Sequence, residues 1–453
     1  MDNSTEQAPA FEYTAQVSSP LINEEAKIAI GEKGLMITTL FDALEVPYAD
    51  TFSIALDDYV VKIETQSGSF SFAKLGNWCE PFYLAVITAY YAEVLKALFI
   101  SGDPIATAKG DFSYSEDPSN SVVCTGTASF FVMENCICIL PPTINARRIP
   151  LSFVVGMNKE GYKTTVTLDS GASYSFSKLG YDTEPFNTAI EKQIRALREK
   201  SLASITELDP SLDSMLASKI AKVMPAGAAV RLGLLNSIAP TFVCAIEKQI
   251  EESRAAETYK AFKEISDPSQ IYVGFIKNVD GDEIGEGGDF PGGDGEGEAE
   301  EISPDPYQFW MIVPSGDGKT CAFEFAGDPG ESAATYIYRC ENGFDAFART
   351  LNYSLESNSY KRDVIRLTEE DIQKPENSIY RMSVQRNISL KAVRASFAGR
   401  AIHRSIASWK KSVLDYFNGN NRDAEKKDVF CRECGEKTTS DMKFCGKCGA
   451  KMS

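Results

Sequence analysis

The 453-residue chain carries 64 acidic against 46 basic side chains, a net charge of −18. That length suits about three domains, and an apolar share of 43 % allows each a sizeable core. The charge excludes a surface that seeks nucleic acid or anionic lipid as a whole, though a local basic patch could still do so.

No apolar run suits a bilayer span, since the best stretch, Met224–Ile246, holds Arg231 and two prolines. Met1–Glu12 is polar, without the charged-then-apolar order of a signal segment, so residues 1–10 are expected to be a flexible tail. Of eleven cysteines, four sit at the C-terminal end and seven are scattered singly (Cys79, Cys124, Cys136, Cys138, Cys244, Cys321, Cys340). Such dispersal predicts buried thiols in a reducing, cytoplasmic setting.

In chain order, Ala26–Ile30, Leu35–Thr39, Val46–Tyr48, Phe52–Leu56, Tyr59–Thr65 and Phe70–Phe72 read as short strands. Gly34 is expected to supply positive φ in the first turn. The stretch Phe70-Ser-Phe-Ala-Lys-Leu-Gly then leads into a helix opened by Glu80-Pro-Phe, with Phe82, Ala85, Val86, Ala89 and Leu95 on one face. About a hundred residues on, Tyr174-Ser-Phe-Ser-Lys-Leu-Gly and Glu184-Pro-Phe repeat the unit. Thr127–Val132, Cys136–Leu140, Thr164–Leu168 and Ser173–Phe176 match its strands. Asn135 stands in for Gly34, Arg148-Ile-Pro-Leu for Glu45-Val-Pro-Tyr, and the second helix buries Phe186, Ile190, Ile194 and Leu197. Lys74 with Glu80, and Lys178 with Glu184, read as corner ion pairs with a capping role.

Residues 201–267 read as helical, with Thr241–Ile265 as a longer helix. Ile271–Lys277, Gln308–Val313, Thr320–Phe325 and Ala334–Arg339, followed by a helix over Phe344–Leu355, suggest a third, eroded copy over 270–357. Residues 279–306 interrupt it. Asp280–Asp305 has no lysine or arginine and alternates acid with glycine, so it is expected to be a disordered spacer or a lure for a basic partner.

Residues 378–417 read as a basic amphipathic helix, broken if anywhere at Gly399. Ser378–Leu414 carries Arg381, Arg386, Lys391, Arg394, Arg400, Arg404, Lys410 and Lys411 with no acid, and Ile402, Ile406, Trp409 and Val413 form a stripe. Three readings compete: packing on the third unit, phosphate contact with nucleic acid through Arg394, Arg400, Arg404, Lys410 and Lys411, or an anionic membrane-surface helix anchored by Trp409. A polar linker, 418–428, follows.

Residues 429–453 contain Cys431-Arg-Glu-Cys434-Gly and Cys445-Gly-Lys-Cys448-Gly. Each pair forms a knuckle whose sulfurs point to one side, and two knuckles place four thiolates around one ion. Four sulfurs leave no open coordination position, so a single structural Zn²⁺ is expected; iron fits the same spacing. This segment resembles the short zinc-ribbon family of prokaryotic multidomain proteins. The couplet Ile28-Ala-Ile-Gly-Glu-Lys-Gly-Leu-Met-Ile, the Val46-Pro-Tyr-Ala-Asp continuation and the closing helix resemble pleckstrin-homology-like domains of GRAM and bacterial type, over 11–100 and 120–200. The resemblance implies an α+β chain: tandem small antiparallel β-barrels, each closed by a C-terminal helix, with helical linkers and a zinc ribbon. It implies binding of lipids, peptides or proteins. The first-hairpin basic cluster of phosphoinositide binders is replaced here by Glu32-Lys33 and Met133-Glu134, so that activity is not carried over.

Other motifs favour structure over chemistry. Gly316-Asp-Gly-Lys-Thr320 is followed by a strand where a phosphate loop needs a helix. Asp280-Gly-Asp-Glu lacks the spaced ligands of a calcium loop. His403 is the one histidine, expected on an exposed helix without a partner. The reading is a non-enzymatic, cytoplasmic interaction protein that docks protein partners, with nucleic-acid binding as the alternative and membrane-surface association third.

Overall fold

The computed structural model describes residues 12–116, 123–253, 255–277, 307–325, 334–360, 363–403, 405–419, 428–430 and 437–439. They form an α+β chain in two units. Of the described residues, one takes those up to Lys200 with Leu351–Ala392, and the other those from Ser201 to Lys277, from Tyr307 to Thr350 and from Val393 onward.

The first unit opens with β1 (Glu12–Ser18), β2 (Asn23–Ile30), β3 (Gly34–Thr38), β4 (Ala43–Pro47), β5 (Thr51–Asp57), β6 (Val60–Thr65), β7 (Gly68–Ala73) and α1 (Cys79–Ala97). The order repeats as β8 (Ala106–Ser115), β9 (Cys124–Val132), β10 (Cys136–Leu140), β11 (Arg147–Pro150), β12 (Val154–Glu160), β13 (Lys163–Leu168), β14 (Ser173–Ser177) and α2 (Thr183–Leu208). Both seven-stranded sheets are antiparallel with one topology, β4-β3-β2-β1-β7-β6-β5 and β11-β10-β9-β8-β14-β13-β12. First and last strands pair at the centre, which leaves β5 and β12 as matching ends.

The Lys-Leu-Gly corners coincide in conformation as well as sequence. Lys74 and Lys178 have φ of 60° and 57°, and Gly76 and Gly180 of 55° and 61°. The intervening leucines are helical and buried, so each corner drives its leucine inward before a short 3₁₀ turn starts the helix. The expected Lys–Glu pairs do not form. Positive φ turns each lysine back toward the first strand of its own sheet, where Lys178 meets Asp111 at 2.6 Å and Lys74 meets Gln16 at 3.5 Å. Glu80 and Glu184 instead occupy the first turns of α1 and α2, where the helix dipole favours a carboxylate. Neither Gly34 nor Asn135 has positive φ. A side chain at Gly34 would meet the Val46 carbonyl at 2.5 Å, so close strand approach is what needs glycine there.

β10 explains how the copies join. Ile137 and Ile139 enter the core of the second sheet, while Cys136, Cys138 and Leu140 enter that of the first. Arg148, on β11 beside them, is buried. Its Nη1 donates to the carbonyls of Leu98 (3.3 Å), Phe99 (3.3 Å) and Ser357 (3.0 Å), and its Nη2 to Glu356 (3.2 Å). Leu98 and Phe99 follow α1, so the guanidinium satisfies carbonyls that the helix leaves open.

The second unit contains α3 (Ser214–Val223), β15 (Val230–Arg231), α4 (Leu232–Ile238), α5 (Pro240–Glu251), α6 (Ala256–Ile265), β16 (Tyr272–Lys277), β17 (Tyr307–Pro314), β18 (Thr320–Phe325) and β19 (Ala334–Arg339). The expected helix over Thr241–Ile265 is therefore two. α7 (Phe344–Ser357), α8 (Asp363–Arg366), α9 (Glu369–Ile372), α10 (Ser378–Arg386), α11 (Ile388–Ala395), β20 (Phe397–Ile402), α12 (Ile406–Phe417), β21 (Asp428–Phe430) and β22 (Lys437–Thr439) complete the chain. Residues Leu351–Ala392 of this run belong to the first unit.

The six-stranded sheet β15-β16-β17-β18-β19-β20 runs in chain order, so among the described residues its topology lacks the first-to-last pairing of the two duplicated sheets. The acidic stretch lies between paired strands β16 and β17 but outside the described residues. The expected basic helix over 378–417 is divided by β20. Gly399, at φ 153°, sits so close to Tyr416 of α12 that an added Cβ would lie 2.1 Å from its hydroxyl, and only a glycine-bearing strand fits there.

The buried Arg148–Glu356 pair predicts an asymmetric mutational pattern. Burial pushes the Glu356 carboxyl above its usual range, against the opposing pull of Arg148. A raised value means the folded state holds the proton more tightly, so this contribution is full at acidic pH and is lost as pH rises through the folded value. Arg148→Met should cost about 3–5 kcal/mol at neutral pH by stranding the carboxylate, Glu356→Gln less, and the double variant less than the sum of both. Urea unfolding at pH 5 and pH 8 checks this.

Candidate functional site

The matching ends β5 and β12 have different fates. At β5, Ile54 N–H donates to Pro142 C=O at 2.8 Å, and Ile144 N–H donates to Phe52 C=O at 2.8 Å. Ser53 and Thr143 form an antiparallel bridge between them. A piece of the β10–β11 hairpin is thus added as an extra strand segment on the first sheet's edge. Tyr90 of α1 secures it, its hydroxyl donating to Thr143 C=O at 3.1 Å while accepting from Arg386 Nη2 at 2.9 Å.

β12 has the same local build. Both strands carry a bulge at one place, between Thr51 and Ser53 and between Val154 and Gly156. Phe52, Ser53 and Ile54 therefore correspond to Val155, Gly156 and Met157. Glu160 pairs with Lys163 across a two-residue turn, and alternation from there makes Met157–Val166 a non-hydrogen-bonded pair. The N–H and C=O of Met157 then point away from β13, as those of Ile54 point toward Pro142. Val155 is 64 % exposed.

Beside this edge lies a groove of about 500 Å³, floored by Val154–Met157 and walled by Glu191, Ile194, Arg195 and Arg198 of α2. Counted from Phe82 and Phe186, Arg195 and Arg198 stand where α1 has Tyr91 and Val94, and Ile194 stands where it has Tyr90. The wall has changed from apolar to cationic. Lys159 occupies the Glu191 carboxylate at 2.8 Å, and Arg195 and Arg198 make no ion pair among the described residues. An exposed strand edge beside a cationic helix face can accept an extended acidic segment through its backbone.

The residues singled out from sequence fare differently. Cys431, Cys434, Cys445 and Cys448 lie outside the described residues, as does Arg404; β21 pairs antiparallel with β22, the strands that precede and follow the first cysteine pair in sequence. The remaining basic residues are spread over three elements. Arg394 is on α11, Arg400 is exposed on β20, and on α12 Lys410 pairs with Glu264 while Lys411 is exposed. In the first unit, Arg381 reaches Asp50 at 2.7 Å and Arg386 is buried against Tyr90.

Trp409 is no membrane anchor. It is fully buried, edge-on to Phe262, with its indole N–H donated to Thr335 Oγ1 at 2.6 Å. His403 is neither helical nor alone: it follows β20, stacks on Trp409 and meets Glu324 at 2.8 Å through Nε2. That same nitrogen faces Thr335, whose hydroxyl also contacts Glu324. A relay needs the two ring nitrogens to face acid and nucleophile separately, so this is a polar node under α12. Gly316–Thr320 is the β17–β18 turn. Of the scattered cysteines, Cys79, Cys136, Cys138, Cys321 and Cys340 are buried, as expected, but Cys124 is half-buried and Cys244 is exposed on α5. Among the described residues no group of His, Cys, Asp or Glu could hold a metal, and no helix is long and apolar enough to cross a membrane.

No protein family and no curated protein matches this sequence. Among solved structures, one described as "Structure of the Spt16D Pob3N heterodimer" aligns with 36 % of this chain and 84 % of its own, at 15 % identity and a TM-score of 0.16.

Sequence reasoning missed the edge because nothing in β12 alone distinguishes it; the signal was the tyrosine-to-arginine exchange between the matched helices. The two edges differ in a measurable way. In native-state hydrogen exchange, the Ile54 and Ile144 amides should be protected at least about tenfold more than that of Met157, which has no acceptor on its outer side among the described residues. Equal protection would mean that β12 is covered.

Proposed function

We propose that the chain is a non-enzymatic interaction protein. Its two duplicated units are pleckstrin-homology-like barrels, and the β12 edge takes an extended segment of a protein partner by strand addition. One observation carries this: the equivalent edge, β5, already holds such a segment, Pro142–Ile144, through paired backbone hydrogen bonds. Backbone pairing supplies affinity without regard to sequence, and the flanking helix supplies choice.

Cys431, Cys434, Cys445 and Cys448 are assigned to one structural zinc ion. The spacing of the two Cys-x-x-Cys-Gly motifs supports this, with β21 and β22 pairing on either side of the first in sequence. The ribbon then makes a second contact, and two linked weak sites raise affinity through effective concentration.

Met157→Pro removes an N–H that β13 does not use, so the sheet should fold while the edge is blocked. Co-purification from nuclease-treated extract should return a partner with the wild-type chain and lose it with Met157→Pro. A partner lost to nuclease and indifferent to Met157→Pro would instead favour nucleic-acid binding by the basic residues and ribbon. Metal analysis should find about one zinc per chain, abolished by Cys434→Ser with Cys448→Ser; iron or no metal would overturn the assignment.

A further inference from the structure

The joint between the two copies uses one surface from each: the β5 edge of the first and the β10–β11 hairpin of the second. Each copy possesses both surfaces. One of each is therefore left over, the β12 edge on the second copy and the β3–β4 hairpin on the first. We propose that these meet between molecules, so that the hairpin of one chain docks on the β12 edge of the next, head to tail. This rests on the strand-addition reading of β12 and names its occupant as a second copy of this chain.

The unused hairpin has the features of a docking element. Gly34 and Cys136 both pair opposite a proline, which aligns Met36 with Cys138. Cys138 is wholly buried in the internal joint, whereas Met36 is 40 % exposed. At the tip, Leu40 and Phe41 are 86 % and 89 % exposed, where the second copy presents Thr143 and Ile144 to β5. The tip is ordered: Thr39 N–H donates to Asp42 C=O at 2.8 Å, and Thr39 Oγ1 accepts from Asp42 N–H at 3.0 Å. Three exposed apolar side chains on a rigid hairpin need a cover.

Charge selects the same match. The β12 groove is walled by Arg195 and Arg198, and the hairpin carries Asp42 and Glu45 where the second copy has Asn145 and Arg148. Basic edge and acidic tip are complementary, while edge to edge or tip to tip would oppose like charges. The contact is heterologous, so its repetition gives a ring or an open filament rather than a twofold dimer.

Sedimentation velocity of the full chain over a concentration series tests this. The wild type should form a growing series of species or one closed ring. Leu40→Ser with Phe41→Ser deletes the tip and Met157→Pro deletes the edge; each variant alone should associate at least about tenfold more weakly. An equimolar mixture of the two should give 1:1 dimers and nothing larger, since only one intact tip–edge pair remains. If Met157→Pro lowers the melting temperature, Arg195→Glu with Arg198→Glu serves as the edge variant. A wild type that stays monomeric at its highest attainable concentration, or variants that associate as it does, overturns the proposal. Capture of a different protein by a monomeric wild type, lost with Met157→Pro, would overturn self-docking while leaving the strand-addition reading intact.

Discussion

A buried arginine holds the first unit together. Arg148 lies on β11, immediately after the hairpin that covers β5, and reaches back to the carbonyls of Leu98 and Phe99 beyond α1. Withdrawing a guanidinium from water costs several kcal/mol. That cost is offset only by fixed acceptors, here the peptide carbonyls and Glu356. The geometry is demanding, and the demand confers specificity: the β10–β11 hairpin can lie on the first sheet in one register. The matched position in the first copy is Glu45, which has nothing equivalent to reach. The two copies present matching surfaces, and they differ here in having Glu45 in the first and Arg148 in the second.

The duplicated strands and corners were legible because local physics and sequence agree there. Lys74 and Lys178 adopt left-handed φ in both copies, an unusual conformation for lysine that a repeated Lys-Leu-Gly encodes together with its glycine. The Cys136-Ile-Cys-Ile-Leu run is apolar throughout because it is buried on both faces, which a single sheet does not require of a half-buried strand.

What escaped the sequence was non-local. β1, with Tyr, Ala and Val among polar residues, is not among the strands the sequence suggests, and its pairing with β2 and β7 is what makes it one. β20 looks helical because its basic and small residues suit a helix, and only its pairing with β19 and the close approach of Tyr416 make it a strand. Arg148 and Glu356 are so far apart in sequence that no periodicity links them. The basic residues misled for a related reason: the run is acid-free because its acids come from elsewhere, Asp50 for Arg381 and Glu264 for Lys410.

An edge strand invites unwanted pairing, and proteins suppress it by charge, bulges or coverage. β5 is covered. β12 bears the same bulge and a single lysine near its end, Lys159, which is already engaged with Glu191. Protection by charge is therefore incomplete, and the neighbouring helix adds arginines that attract acidic chain instead of repelling it. At matched places α1 has Tyr91 and Val94 where α2 has Arg195 and Arg198, so the wall beside β5 is apolar and the wall beside β12 cationic. In this two-copy tandem the joint uses the β5 edge of the first copy and the β10–β11 hairpin of the second, which leaves the β12 edge and the β3–β4 hairpin outside it.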